Sequence, residues 1–265
     1  MTWLQVIVLA VVQGLTEFLP ISSSGHLVLV PSVVGWTDQG LVFDVAVHFG
    51  SLGAVCVYFR NDIAALLRGS LAVATGNAGS PESRMAIAIA IGTVPAAFAG
   101  LLFAGWISDN LRHPSVVVVT LAGFGILLAL ADRFGRRQRV IVDVRLRDAI
   151  LIGVAQALAL VPGTSRSGVT ISAALMLGFQ RRDAARFSFL LSAPVILLAT
   201  LYETAVLIID GGSVAWSTLA VAALVSGIVA YLSIEFFMRF VSAIGLLPFA
   251  VYRLVLSAVI VVVVL

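Results

Sequence analysis

Glu17 and Arg166 stand inside long apolar sequence, in the stretches QGLTEFLPISSSGHL (residues 13–27) and VPGTSRSG (residues 161–168). An ionisable side chain at membrane depth is costly and points to function. Gln13 and Glu17 are four residues apart, which puts both on one face of a helix. Ser22 has the chemistry of a helix N-cap. Ser22 and Ser23 precede His26 by four and three residues, so one of them can face the imidazole once a helix starts there. Ser165, Arg166 and Ser167 open a second helix start of the same kind. Two helix N-termini offer backbone N–H groups and positive dipole ends, and the planar fork of Arg166 suits phosphate oxygens. Together these groups describe an anion site that phosphate fits best. Glu17 would repel a bare phosphate. It makes sense with a divalent cation between the two, since hard cations take carboxylate and phosphate oxygens together. The competing readings are a structural Glu17–Arg166 ion pair, serines and glycines that only cap and pack, and a His26 that is a hydrogen-bonded core residue.

The elements that must position these residues are membrane elements. The 265-residue chain is 61% hydrophobic and 11% charged, with a mean hydropathy of +1.13. Soluble domains carry about 25% charged residues, so this is an integral membrane protein. A single cysteine, Cys56, excludes an internal disulfide. The N-terminus lacks a basic region, so the first helix is expected to be retained. All 16 Lys+Arg residues are arginine, and the net charge is +3. The arginines gather at the ends of apolar segments, which is the positive-inside pattern and excludes a nucleic-acid partner.

Six segments are long enough to span, at about 42–59, 84–105, 115–131, 184–204, 214–236 and 245–264. Residues 3–34 and 148–178 are apolar too, but each is broken in the middle by proline, serine and glycine. Each half is about 14 residues, or about 21 Å of helix, too short for a hydrocarbon core of about 30 Å. Both are expected to be re-entrant helix–loop–helix hairpins. The hairpins repeat each other at an offset of 143, which aligns Gln13 with Gln156, Ser22 with Ser165, Ser24 with Ser167 and Gly25 with Gly168. The expected fold is an all-α membrane domain over 1–265. It consists of repeat one (1–131, hairpin 3–34), a cytoplasmic linker (132–147) and repeat two (148–265, hairpin 148–178). Three spans per repeat invert the second copy, an arrangement that puts a binding site near the midplane. The arginine-rich loops, including 60–83 and 132–147, are expected inside, and 106–113 and 205–213 outside, where Arg112 is the lone arginine. Arg136-Arg137-Gln138-Arg139 reads as a cytoplasmic surface facing anionic lipids. Asp44 and His48, four apart, either line a cavity or form a structural pair. Glu235, Arg239 and Arg253 read as helix-end or interhelical pairs. Inverted repeats with broken helices also occur in transporters, so a carrier or flippase competes with an enzyme.

EFLPISSSGHL and PGTSRSG resemble the two signature motifs of the undecaprenyl-diphosphate phosphatase family, the bacitracin-resistance type. The resemblance extends along nearly the whole chain, through FDVAVHFGSLGAV (43–55) and FSFLLSAP (187–194). It implies a bacterial plasma-membrane enzyme, with its site open to the outer (periplasmic) side. The enzyme would hydrolyse the terminal phosphate of undecaprenyl diphosphate and recycle the lipid carrier for cell-wall synthesis. The polyprenyl diphosphate and membrane lipids are the implied partners, with a homodimer left open. Carried across, Glu17 would hold the divalent cation, Mg2+ or Ca2+, with Gln13 beside it. Arg166 would clamp the diphosphate, and Ser23 would be the candidate nucleophile. His26 would be the base or acid, or would activate a water. Gln13, Ser22, Ser24, Thr164, Ser165, Ser167 and Gly168 would bind the substrate. Many members carry glutamate at the position of Gln13; here Glu17 is the only carboxylate of the pair.

Overall fold

The computed structural model describes residues 1–37, 39–111, 113–210 and 215–264. Arg112 and residues 211–213 of the expected outer loops lie outside them. Among the described residues there are eleven α-helices. They are α1 (Trp3–Thr16), α2 (Ser23–Val34), α3 (Leu41–Tyr58), α4 (Arg60–Ala74), α5 (Pro81–Asn110), α6 (Pro114–Phe134), α7 (Leu146–Leu158), α8 (Arg166–Met176), α9 (Arg181–Asp210), α10 (Trp216–Ile244) and α11 (Leu247–Val264). Four stretches are long and apolar enough to cross a membrane: Pro81–Phe103, Pro114–Phe134, Arg181–Val206 and Trp216–Ile244. The count reaches five if α3 and α4, bent by 87° at Phe59, make one broken span. Large apolar side chains such as Leu101, Ile228 and Val262 are exposed on the outer faces. In water such patches would aggregate. In lipid they are the expected surface of a multi-pass membrane protein.

Helix α4 corrects one expectation. Residues 60–83 read as a loop because Arg60, Asp62 and Arg68 end the apolar run. The chain instead turns sharply and continues as a helix with Leu67 and Leu71 exposed. Asp62 on it pairs with Arg186 of α9.

The two broken segments form short helix pairs. α1 and α2 have 14 and 12 residues, α7 and α8 have 13 and 11. α1 starts on a capping box, in which Thr2 accepts from the Gln5 amide and the Gln5 side chain accepts from the Thr2 amide. The two breaks are built alike. Ser22 and Ser165 both lie in the left-handed region, at φ 72° and 70°. Each hydroxyl accepts from the amide three residues on, Gly25 at 3.3 Å and Gly168 at 3.2 Å. Each also contacts the hydroxyl two residues on, Ser24 at 3.2 Å and Ser167 at 3.3 Å. A non-glycine residue at positive φ is strained, and here the side-chain cap holds it.

Packing crosses between the halves of the chain. α1 packs on α10 and α7 packs on α5. Both contacts rest on a glycine: a Cβ on Gly14 would lie 2.5 Å from the Ser226 carbonyl oxygen, and one on Gly153 would lie 2.4 Å from that of Gly92. The central core includes an aromatic group of Phe18, Phe59, Phe189 and Phe237, with Phe18 edge-on to Phe189 at 5.3 Å.

Residues 132–147 are folded onto the rest of the chain. The Gln138 and Arg139 amides donate to the Gly178 carbonyl, and the Gln180 amide donates to that of Arg139. Asp132 takes a two-pronged bond from Arg181, at 2.6 and 3.0 Å, and one from the Leu246 amide. Arg139 therefore departs from the lipid-facing reading: its guanidinium grips Asp148 and the Leu177 carbonyl. Burial pushes the Asp148 carboxyl up, but the Arg139 guanidinium and the Arg145 amide outweigh it and hold it below the usual carboxylate range.

Candidate active site

The two breaks meet. Gly163 N–H donates to Ser24 Oγ at 3.3 Å, and Ser167 Oγ donates to the Leu19 carbonyl at 3.1 Å. Each tip thus braces the other. The N-termini of α2 and α8 come together beside a cavity of about 240 Å³. Glu17, Ser22, Ser23, Ser24, Ser165 and Arg166 line it.

Glu17 is the hub, and its side chain is 6% exposed. One carboxylate oxygen, Oε1, accepts from Arg166 Nη2 at 3.0 Å. The other, Oε2, accepts from Gln13 Nε2 at 2.9 Å and from Ser23 Oγ at 2.8 Å. His48 Nε2 stands 3.7 Å from the same oxygen. The His48 ring is held by its Nδ1–H, which donates to the Asp44 carbonyl at 2.7 Å. So His48 lines the cavity, and its contact with Asp44 runs through the backbone. Arg166 stacks 5.7 Å over the Phe18 ring. Only one of its terminal nitrogens meets Glu17; the other, Nη1, is buried with no partner among the described residues. A guanidinium with one arm paired and one arm spare can take an anion without giving up its carboxylate.

His26 sits elsewhere. Its Nδ1 is 2.7 Å from the Ser22 carbonyl and its Nε2 2.7 Å from the Tyr252 hydroxyl. A carbonyl only accepts, so Nδ1 carries the proton and Nε2 accepts from Tyr252. Both ring nitrogens are occupied, the ring is absent from the cavity lining, and its partners are the tip of the first break and α11. The candidate base or acid at this position is held here by the first tip and by α11. Glu17 is the acceptor that Ser23 actually meets.

The remaining expected residues divide in the same way. Gln13 is fully buried behind Glu17, with its Oε1 lacking a donor. Thr164, Ser167 and Gly168 are buried in the second tip, outside the cavity lining. A Cβ on Gly168 would lie 2.8 Å from Arg253 Nη1. Arg253 is fully buried and has no carboxylate partner among the described residues; it bonds the carbonyls of Thr120, Leu121, Gly163 and Thr164 at 2.9–3.3 Å. The interhelical ion pair expected for it is replaced by a clamp on backbone oxygens. This puts a second positive charge behind the α8 N-terminus.

Sequence reasoning missed four residues at or beside this site: Gln156, Thr200 and Glu203 in the cavity wall, and Tyr252 behind it. For Gln156 a signal existed, since it is the counterpart of Gln13 at the 143-residue offset.

Among the described residues no group of three or more His, Cys, Asp or Glu is placed to hold a metal. The donors that do fit a hard cation are the Glu17 carboxylate and the unpartnered Gln13 Oε1 beside it.

Known proteins are similar to this chain over nearly its whole length. The chain is 54% identical over 258 residues to "Undecaprenyl-diphosphatase" of Hahella chejuensis, covering 97% of each chain. It is 51% identical over 262 residues to the protein of that name from Chromohalobacter salexigens, covering 99% of each. It is 49% identical over 265 residues to "Undecaprenyl-diphosphatase 2" of Stutzerimonas stutzeri, covering 99% of this chain and 98% of that one. The family model described as "Bacitracin resistance protein BacA" matches residues 6–259, and the chain belongs to that family.

Proposed function

We propose that the chain is an undecaprenyl-diphosphatase: it hydrolyses the terminal phosphate of undecaprenyl diphosphate to undecaprenyl phosphate and inorganic phosphate, recycling the lipid carrier for cell-wall synthesis. The relatives' names support the substrate. The observation that carries the chemistry is the Ser23–Glu17–Arg166 constellation at two helix N-termini.

In this reading Ser23 Oγ attacks the terminal phosphorus, and its proton passes to Glu17 Oε2. The bond from phosphorus to the bridging oxygen breaks, and undecaprenyl phosphate leaves. Water then releases phosphate from Ser23. Phosphoryl transfer asks mainly for alignment and charge stabilisation. Arg166 Nη1 and the amides opening α2 and α8 supply both. Ser22, Ser24, Ser165 and Ser167 hold those amides in position, and His26 holds the first tip through Ser22. A divalent cation, Mg2+ or Ca2+, belongs to this proposal; Glu17 and Gln13 would hold it, and it would neutralise phosphate charge.

The membrane arrangement is proposed as six spans and two re-entrant hairpins in inverted repeats 1–131 and 148–265. The linker 132–147 is cytoplasmic and the cavity opens to the outer face. Support comes from the short helix pairs, the crossed α1–α10 and α7–α5 packing, and the arginine-rich loops. The purified protein should release one phosphate per undecaprenyl diphosphate and leave the monophosphate. Chelation should stop the reaction, and magnesium or calcium should restore it. Protein that moves lipid across a bilayer but frees no phosphate with either metal would be a carrier instead.

A further inference from the structure

Two buried polar side chains in the cavity wall have no bonding partner among the described residues. Gln156 on α7 is 2% exposed, and neither its amide nitrogen nor its amide oxygen has a partner among the described residues. Thr200 on α9 is 9% exposed, and its hydroxyl is equally unpartnered. Both line the cavity that holds Glu17, Ser23 and Arg166. Buried polar groups are nearly always satisfied, and leaving one unmade is costly. Two such side chains around one cavity, together with the spare arm of Arg166, describe a site shaped for a polar guest.

The lining of the cavity has a polar part and an apolar part. The serines and Glu17 belong to the first. The apolar side chains include Leu160, four residues from Gln156 along the chain, and Val195, Ile196 and Ala199, within five of Thr200; Glu203 also lines the cavity. A lipid diphosphate also has two parts, the terminal phosphoryl group and a second phosphate bearing the isoprenoid tail. The terminal group must lie at Ser23 for reaction. The tail-bearing phosphate is then left to the part of the lining that carries Gln156 and Thr200.

We infer that Gln156 and Thr200, with the spare arm of Arg166, form the subsite for the tail-bearing phosphate that is retained in the product. The Gln156 amide and the Thr200 hydroxyl donate to its non-bridging oxygens. They position the substrate and hold the product; they take no part in the bond that breaks. This rests on the phosphatase reading for the order of the two phosphates.

The test uses full-length protein carrying Gln156→Leu or Thr200→Val, each close in shape and lacking the polar atoms. Each substitution removes an unsatisfied group, so melting temperature should hold or rise. For undecaprenyl diphosphate, KM should rise about tenfold, as expected for a lost hydrogen bond to a charged group, with kcat nearly unchanged. Inhibition by undecaprenyl monophosphate should weaken by the same factor. Inhibition by inorganic phosphate, which occupies the Ser23 part of the lining, should stay as in the wild type. A monophosphate inhibition constant that does not move, or one that moves in step with that of inorganic phosphate, overturns the subsite. Tryptophan fluorescence titration with undecaprenyl monophosphate separates the two readings. If the wild type binds it but frees no phosphate from the diphosphate, the phosphatase reading fails. The subsite then stands only if both variants bind the monophosphate about tenfold more weakly. If the wild type turns over and the variants bind the monophosphate normally, the subsite alone fails.

Discussion

Replacing Arg166 by lysine separates the two jobs of this side chain. Arg166 Nη2 bonds Glu17 Oε1 at 3.0 Å, while Nη1 is unpartnered. Both partners are well buried, at 12% and 6% exposure. Deleting one member of such a pair costs about 3–5 kcal/mol, so an alanine variant would confuse folding with catalysis. Lysine keeps the charge and can stay on Glu17, but it has no second arm to offer the phosphate. The loss at the substrate is one hydrogen bond to a charged group, about 1.5–3 kcal/mol. At 1.4 kcal/mol per tenfold, kcat/KM for undecaprenyl diphosphate should fall by about 10- to 150-fold. The assay is phosphate release from purified protein, with melting temperature measured on the same sample. The expected result is near-native melting with that fall in kcat/KM. A lysine variant within twofold of wild-type kcat/KM would refute the two-armed reading and leave Arg166 as a structural partner of Glu17.

Ser23→Ala should abolish turnover with the fold intact, measured as phosphate release; a loss of only a few-fold would favour a water nucleophile. Tyr252→Phe strands His26 Nε2 and should lower stability by about 1–3 kcal/mol while leaving kcat within tenfold; a fall of more than a hundredfold in a well-folded variant would restore His26 to acid–base chemistry. A cysteine introduced at 138 in a Cys56→Ser background should resist an impermeant thiol reagent applied from outside; labelling there would refute the inverted arrangement. Asp148 is held below its usual range, so its pairing with Arg139 stabilises the fold above about pH 4 and is lost as pH falls through the depressed value. Melting temperature should therefore drop in acid, and Asp148→Asn should flatten that part of the profile.

What the sequence disclosed followed the reach of each signal. The apolar runs marked six helices, of which four are long and apolar enough to cross a membrane, or five if the bent α3–α4 pair is one span. The interruption at Pro20–Gly25 and its copy at Pro162–Gly168 marked the breaks, because proline and serine clusters act locally. The loop expected at 60–83 hid a helix, because its charges masked an amphipathic pattern. The pairing of Glu17 with Arg166 was foreseen only as a competing reading, since their separation of 149 residues gives no local sign of contact. The contact that holds His26 was hidden for the same reason: Tyr252, at its Nε2, is 226 residues away. Gln156 was visible in the repeat register, but burial without a partner is a property only three-dimensional packing can reveal.

Neighbouring residues of α11, Tyr252 and Arg253, reach the two tips, one through His26 and the other through the Gly163 and Thr164 carbonyls. This has a consequence for how the protein is made. Synthesis runs from the N-terminus, so both tips are made before the residues that fasten them. A nascent chain ending before Tyr252 holds every residue of the Ser23–Glu17–Arg166 group and lacks both fasteners. Until α11 is in place, such a chain has the parts of the site without their alignment, so hydrolytic competence waits for that helix.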